Sequence, residues 1–321
     1  MKRIGFILGI LSMATTISAQ EVPLFSQTIT NSFMYNPALA GYDRGTLTLS
    51  SRQSFGQKLK GLPNTNYLSG QSPFSLGKLG FGGNVLYEQL GVFNQLQTNV
   101  AGAYHIRWND EMSWSMGLGA EYYAATLDEE RLDILDYDDP VINAFAQREL
   151  DFSTGFYFRY KFLGAGVAVN RLKSWILTDN YLHKYTNVFV KGMFDLGAST
   201  SLQPIVIYRR ERNFQHQVDM GAYLFFKNQF LTGANFRSNG QLGFSVGTKI
   251  ITHTWVAYTF EALTKYGISN HELSLRFDFN KDDYPNTNSN YKKIQGKEKY
   301  KQWKNRLKKK GLKNKGDANM H

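Results

Sequence analysis

No cysteine occurs in the 321 residues, which excludes disulfides, thiolate metal sites and cysteine nucleophiles together. Nor does any apolar run reach the roughly 18 residues of a spanning helix, so insertion as a helical membrane protein is excluded. Recognisable ligand spacing is missing too. The six histidines, at 105, 183, 216, 253, 271 and 321, form no H-E-x-x-H or comparable pattern. What is present is a 42% apolar content, too high for a wholly disordered chain. The length suits one large domain or two ordinary ones, either able to bury a core.

The chain carries 37 Lys and Arg against 26 Asp and Glu, a formal charge of +11. A balance this basic points towards a polyanionic partner unless the charge is local. It is local. Residues 1–19 hold two cations, Lys2 and Arg3, before a short apolar run and the small residues that precede Gln20. That pattern predicts a secretory signal peptide cleaved after Ala19. Residues 281–321 hold 13 Lys and Arg with 4 acidic residues, so 20–280 retains 22 of each sign.

The neutral body repeats one pattern: segments of about ten residues that alternate apolar and polar, separated by turn residues. In residues 114–124, Trp114, Met116, Leu118, Ala120 and Tyr122 share one face; Ser115, Gly117, Gly119, Glu121 and Tyr123 share the other. Similar splits fall at 152–160, 188–198, 202–208, 218–226, 242–250, 254–260 and 273–279. A soluble sandwich and a membrane barrel share this alternation. Three features favour the barrel. Aromatics mark strand ends, as interfacial girdles require. The second face is rich in Gly, Asn, Gln and paired charges, as a narrow lumen would be. Connections alternate in length: tight at 109–111, 162, 199–200 and 227–228, long at 53–64, 128–147, 172–185 and 261–270. Short periplasmic turns and long outer loops are the outer-membrane arrangement.

Chemistry is sparse. Gly243-Phe244-Ser245-Val246-Gly247 matches G-x-S-x-G, but alternation runs straight through it where a nucleophile elbow needs a turn into a helix. His271-Glu272 with Ser274 suggests an outer-membrane lipase, against which stands a plain inward polar pair at the barrel rim. The acidic stretch 128–140 lacks the D-x-D-x-D-G calcium loop. Its default reading is a solvated loop that contacts a partner, through Asp128, Glu129, Glu130, Asp133, Asp136, Asp138 and Asp139. In the tail, Tyr300, Trp303 and Leu307 recur at helical spacing among cations. Lys299, Tyr300, Trp303, Arg306, Lys308, Lys309 and Lys310 are its candidate contact residues. A solvated tail is the alternative.

Phe25-Ser26-Gln27 followed by Asn36-Pro37-Ala38-Leu39-Ala40-Gly41 resembles the opening signature of the PorP/SprF family, outer-membrane proteins of the type IX secretion and gliding-motility system of Bacteroidetes. The resemblance continues through Arg52, Gly61-Leu62-Pro63-Asn64-Thr65, Pro73-Phe74, Glu88 with Gly91, and Asp139-Pro140. It extends over 164–172, Gln203-Pro204, residues 225–228 and 233–237, and Asn270-His271-Glu272. It implies a fourteen-strand barrel, in agreement with the count of about 14 strands from alternation. The basic tail and Asn270 depart from the family pattern.

The expectation is an all-β fold: a transmembrane antiparallel β-barrel over 20–280, after a signal peptide (1–19) and before a basic periplasmic tail (281–321). The expected role is non-enzymatic, without cofactor, metal or nucleic acid. The barrel serves type IX secretion and gliding by anchoring secreted surface protein. Expected partners are type IX secretion components or a secreted adhesin, outer-membrane lipid, and a peptidoglycan-associated or other periplasmic protein. A porin-like channel for small solutes is the alternative.

Overall fold

The computed structural model describes residues 25–26, 31–42, 44–56, 61–74, 78–109, 111–128, 147–176, 184–197, 199–211, 216–251 and 253–279. Its strands are β1 (Thr46–Gly56), β2 (Asn64–Phe74), β3 (Leu79–Leu90), β4 (Phe93–Arg107) and β5 (Met112–Leu127). They continue with β6 (Gln147–Tyr160), β7 (Leu163–Asn170), β8 (Tyr185–Gly192), β9 (Phe194–Asp195) and β10 (Thr200–Glu211). The last five are β11 (Gln217–Phe226), β12 (Phe230–Arg237), β13 (Gln241–Ile251), β14 (Thr254–Leu263) and β15 (Ile268–Asp278). All pairings are antiparallel, and β9 extends β8 past a break at Met193, both lying along β10. The seam closes where β1 meets β15, from Thr46 opposite Asp278 to Gly56 opposite Ile268. The result is a closed barrel of fourteen strands.

Closure gives every strand a neighbour on both sides, so across the band the ladder groups are satisfied without water, the condition for crossing hydrocarbon. Only strand ends, such as residues 147–153 of β6, run past a neighbour. The outward face is apolar: Val100, Leu118, Phe244 and Val246 are all more than half exposed at mid-strand. Aromatics flank that band. Trp108, Tyr160 and Phe162 lie at the short-turn end, and Phe55, Tyr87 and Tyr122 towards the other. The expected split of residues 114–124 holds, with Ser115 buried inside and Met116 and Leu118 exposed outside.

Several strands run further than alternation predicted, by one or two residues at the short-turn end and by more at the long-loop end. Residues 53–56, 261–263 and 268–270, expected in loops, are strand. Past the hydrocarbon band the outward residues need not be apolar, so the alternation fades while the ladder continues. The stretch expected at 188–198 is instead interrupted at Met193.

Two 3₁₀ turns, Ser32–Tyr35 and Pro37–Leu39, precede β1. They lie inside the barrel. Phe33, Tyr35, Ala38, Leu39 and Ala40 are buried, and the second turn packs on β4, β5 and β6. The core of this molecule is therefore its lumen, where a plug ahead of the wall meets the inward face.

Candidate functional site

The plug is attached along its length by a different device at each level. Near the short-turn end, the His105 Nε2–H donates to Ala40 O at 2.9 Å, while Nδ1 sits 2.8 Å from Ser115 Oγ. A carbonyl can only accept, so the Ala40 contact fixes the proton on Nε2. Tyr42 OH lies 2.6 Å from Ser113 Oγ and accepts from Arg159 Nε at 3.0 Å. Arg44 then pairs with Asp278 at 3.0 Å, which ties the plug's exit to the last strand.

At mid-height the wall is built of glycine. Inward-facing Gly82, Gly117 and Gly155 sit where a β-carbon would strike Phe33, the Pro37–Ala38 backbone or Asn36, and one on Gly166 would strike the inward Phe189 ring and crowd Asn36. A β-carbon on Gly80 would strike Ala40 O. With no side chains there, the plug backbone lies against the ladder itself. Asn36 uses the space: its Nδ2 donates to Phe156 O at 3.1 Å and to Val167 O at 3.3 Å, on neighbouring strands β6 and β7. Its Oδ1 accepts from Ala38 N at 2.8 Å, capping the turn that Pro37 begins.

Towards the long-loop end, on the opposite wall, charge takes over. Glu261, fully buried on β14, accepts from Arg52 Nη2 at 2.8 Å and Asn235 Nδ2 at 2.9 Å, and also from Gln241 Nε2 and Ser26 Oγ. Glu272 accepts from the Ser26 backbone N–H at 2.8 Å, and Tyr223 OH donates to Ser26 O at 2.8 Å. Arg237 joins by donating to Asp219 at 3.1 Å and Gln241 at 3.0 Å. Each buried charge here has an opposite charge and further hydrogen bonds, the condition for placing ions out of water.

On the side of the glycine wall but nearer the long-loop end, between the plug and residues of β2 to β5, β7 and β8, a cavity of about 70 Å³ remains. Asn84, Gln97, Asn99, Glu121, Asn170 and Tyr185 are among its lining residues. Arg171 also lines it, and approaches Glu211 at 3.9 Å and lies over the rings of Tyr123 and Tyr185, 5.9 and 5.1 Å from their centroids.

The catalytic candidates come apart. Ser245 lies mid-strand in β13, its Oγ 2.7 Å from Thr259 Oγ1. The strand runs on from it to Ile251 with no turn into a helix. His271 and Glu272 are not the inward pair expected: Glu272 is buried in the lumen, whereas His271 contacts Phe55, Tyr258 and Phe260, outward-facing rings of the neighbouring strands. Consecutive strand residues point to opposite faces, so they cannot share one. Ser274 faces inward against Ser50 at 2.7 Å. Asn270 faces inward and accepts from Ser54 Oγ at 2.6 Å. Among the described residues, no group of three or more His or acidic side chains is placed to hold a metal ion.

Of the expected contact residues, Asp128 stands at the long-loop rim after β5, its N–H donating to Val92 O at 2.8 Å. Glu129, Glu130, Asp133, Asp136, Asp138 and Asp139 lie outside the described residues, as do Lys299, Tyr300, Trp303, Arg306, Lys308, Lys309 and Lys310. Sequence reasoning missed the plug. Its signals were present: an aromatic, non-alternating stretch at 33–42 and glycines recurring on the inward parity of β3, β5, β6 and β7.

No curated protein is significantly similar in sequence. Among solved structures, the chain is similar to the Ralstonia pickettii toluene transporter TbuX, at 10% identity over 78% of this chain and 94% of that one, TM-score 0.49. It is also similar to the Acinetobacter baumannii outer membrane protein Omp33, at 11% identity over 74% and 100%, TM-score 0.48. A family profile, type IX secretion system membrane protein PorP/SprF, matches residues 17–277. With Asn36-Pro37-Ala38 seated among the wall glycines and Arg52 paired to Glu261 inside a closed barrel, the chain belongs to the PorP/SprF family of type IX secretion membrane proteins and is an outer-membrane β-barrel.

Proposed function

We propose that the protein is a closed, non-enzymatic anchor of the type IX secretion and gliding apparatus, holding secreted or translocon protein at its long-loop end. The observation that carries this reading is the filled lumen. A segment fixed at Ala40, Asn36 and Ser26 occupies the path a solute would take. What remains useful for function is the rim and the surface of the barrel. The acidic stretch 128–139 follows β5 in sequence, and its first residue, Asp128, stands at that rim, so its carboxylates supply a docking surface for a secreted chain. The cationic tail, leaving on the side of the short turns, meets acidic or cell-wall-associated periplasmic partners.

Co-purification of the full chain from native membranes tests the reading. Recovery of a secretion component or a surface adhesin is expected, and its absence from repeated preparations would overturn it. Removing 281–321 should lose periplasmic partners while keeping those bound outside. The channel alternative makes the opposite demand, steady conductance of the intact protein in a planar bilayer, where the plugged barrel should be silent.

A further inference from the structure

The cavity beside the plug has a chemistry of its own. Its wall residues lie at or beyond the middle of their strands towards the long-loop end, and Phe33, Met34 and Pro37 of the plug close one side. Three of its amide atoms, Gln97 Nε2, Asn99 Oδ1 and Asn170 Nδ2, are buried without a hydrogen-bond partner, and Asn170 is only 4% exposed. Buried polar atoms of this kind are satisfied in nearly all native proteins, by protein, water or ligand. Here two donors and one acceptor, all neutral, line one space.

The composition selects among ligands. A metal ion would need several carboxylates or imidazoles, and the lining offers Glu121 alone. An anion would need free cations, whereas Arg171 already approaches Glu211 and two tyrosine rings. A sugar stacks on open aromatic faces, but Tyr123 and Tyr185 carry Arg171, and Tyr67 packs against Phe25 at 5.5 Å. A peptide group matches what is left. Its N–H suits Asn99 Oδ1 and its C=O suits Gln97 and Asn170. The volume, room for about five waters, is that of one or two peptide units.

We propose that this cavity is a binding site for an extended polypeptide, which inserts a peptide unit from the long-loop end and replaces water on the three amides. The site deepens the anchoring reading and rests on it for the identity of the inserting chain.

The probe is N-acetylglycinamide, a capped glycine with two peptide groups, titrated against the full chain in detergent and followed by ligand-observed NMR. A ligand of this size should bind with a dissociation constant of about 10 mM. Asn170→Leu and, independently, Asn99→Leu should each weaken it about tenfold, while the outward neighbour variant Val100→Ala should not change it. Heat-modifiable gel mobility reports that each barrel is folded, and the wild-type titration stands even if a variant is not. No binding to wild type, tighter binding of N-acetylglucosamine than of the amide, or unchanged binding in both Leu variants would overturn the site. If the amide fails to bind while a surface protein still co-purifies, the anchoring reading survives and the cavity's role does not.

Discussion

The two sides of the lumen hold the same segment by different physics. Around β11 to β15 and β1, contact is polar and directional: Glu261 and Glu272 meet Ser26 while Arg52 and Arg237 balance them. Around β3 to β7, contact at mid-height is steric, with glycines admitting the plug backbone and Asn36 bonding the wall, while nearer the short turns His105 holds Ala40 O and Ser113 and Arg159 hold Tyr42 OH. The charged side needs long side chains that reach inward. The glycine side needs their removal. One barrel thereby grips a segment off its axis and leaves an amide-lined cavity on the glycine side.

Substitutions separate these modes. Glu261→Leu should have the largest effect, because it leaves Arg52 buried without its closest partner. A loss of about 3–5 kcal/mol is expected in denaturant unfolding in detergent, whereas a change below 1 kcal/mol would show that the charged side is dispensable. Gly117→Leu should cost less, about 1–3 kcal/mol from overpacking, but should displace the plug. Planar-bilayer recordings should then show conductance that the parent lacks. If Gly117→Leu stays silent and Glu261→Leu conducts, the two sides have exchanged the roles assigned to them. Asn36→Ala, which strips two bonds to wall carbonyls and one turn cap, should cost about 1–2 kcal/mol and raise amide exchange in 36–40. Glu111→Gln, at a solvated turn 3.8 Å from Lys161, should fall within about 0.5 kcal/mol and sets the baseline for the other three.

The contrast also explains what could be read in advance. Outward residues such as Leu118 and Val246 answer to lipid alone, one solvent with one demand, so their period of two is visible in the sequence. Inward residues answer to individual partners. Gly155 is small because Asn36 lies against it, and those two residues are 119 positions apart in the sequence. No local pattern encodes that distance. The family signature at 36–41 marked the right residues without saying that they fold inward, and Arg52 appeared as an isolated match until β14 brought Glu261 beside it. The strand surplus at the long-loop end was hidden for a related reason. Beyond the lipid the wall keeps its hydrogen bonds and loses its apolar code.

The seam between β1 and β15 has a consequence for how the molecule comes into being. The plug is made before any part of its wall, yet Ser26 bonds Glu272, 246 positions later, and Arg44 bonds Asp278, which sits in the closing strand. Contacts that distant in sequence form late and slowly. The segment synthesised first therefore reaches its final place last, or is enclosed as the sheet curls shut around it. Assembly and the seating of the plug become a single event: a wall that has not closed has no seated plug.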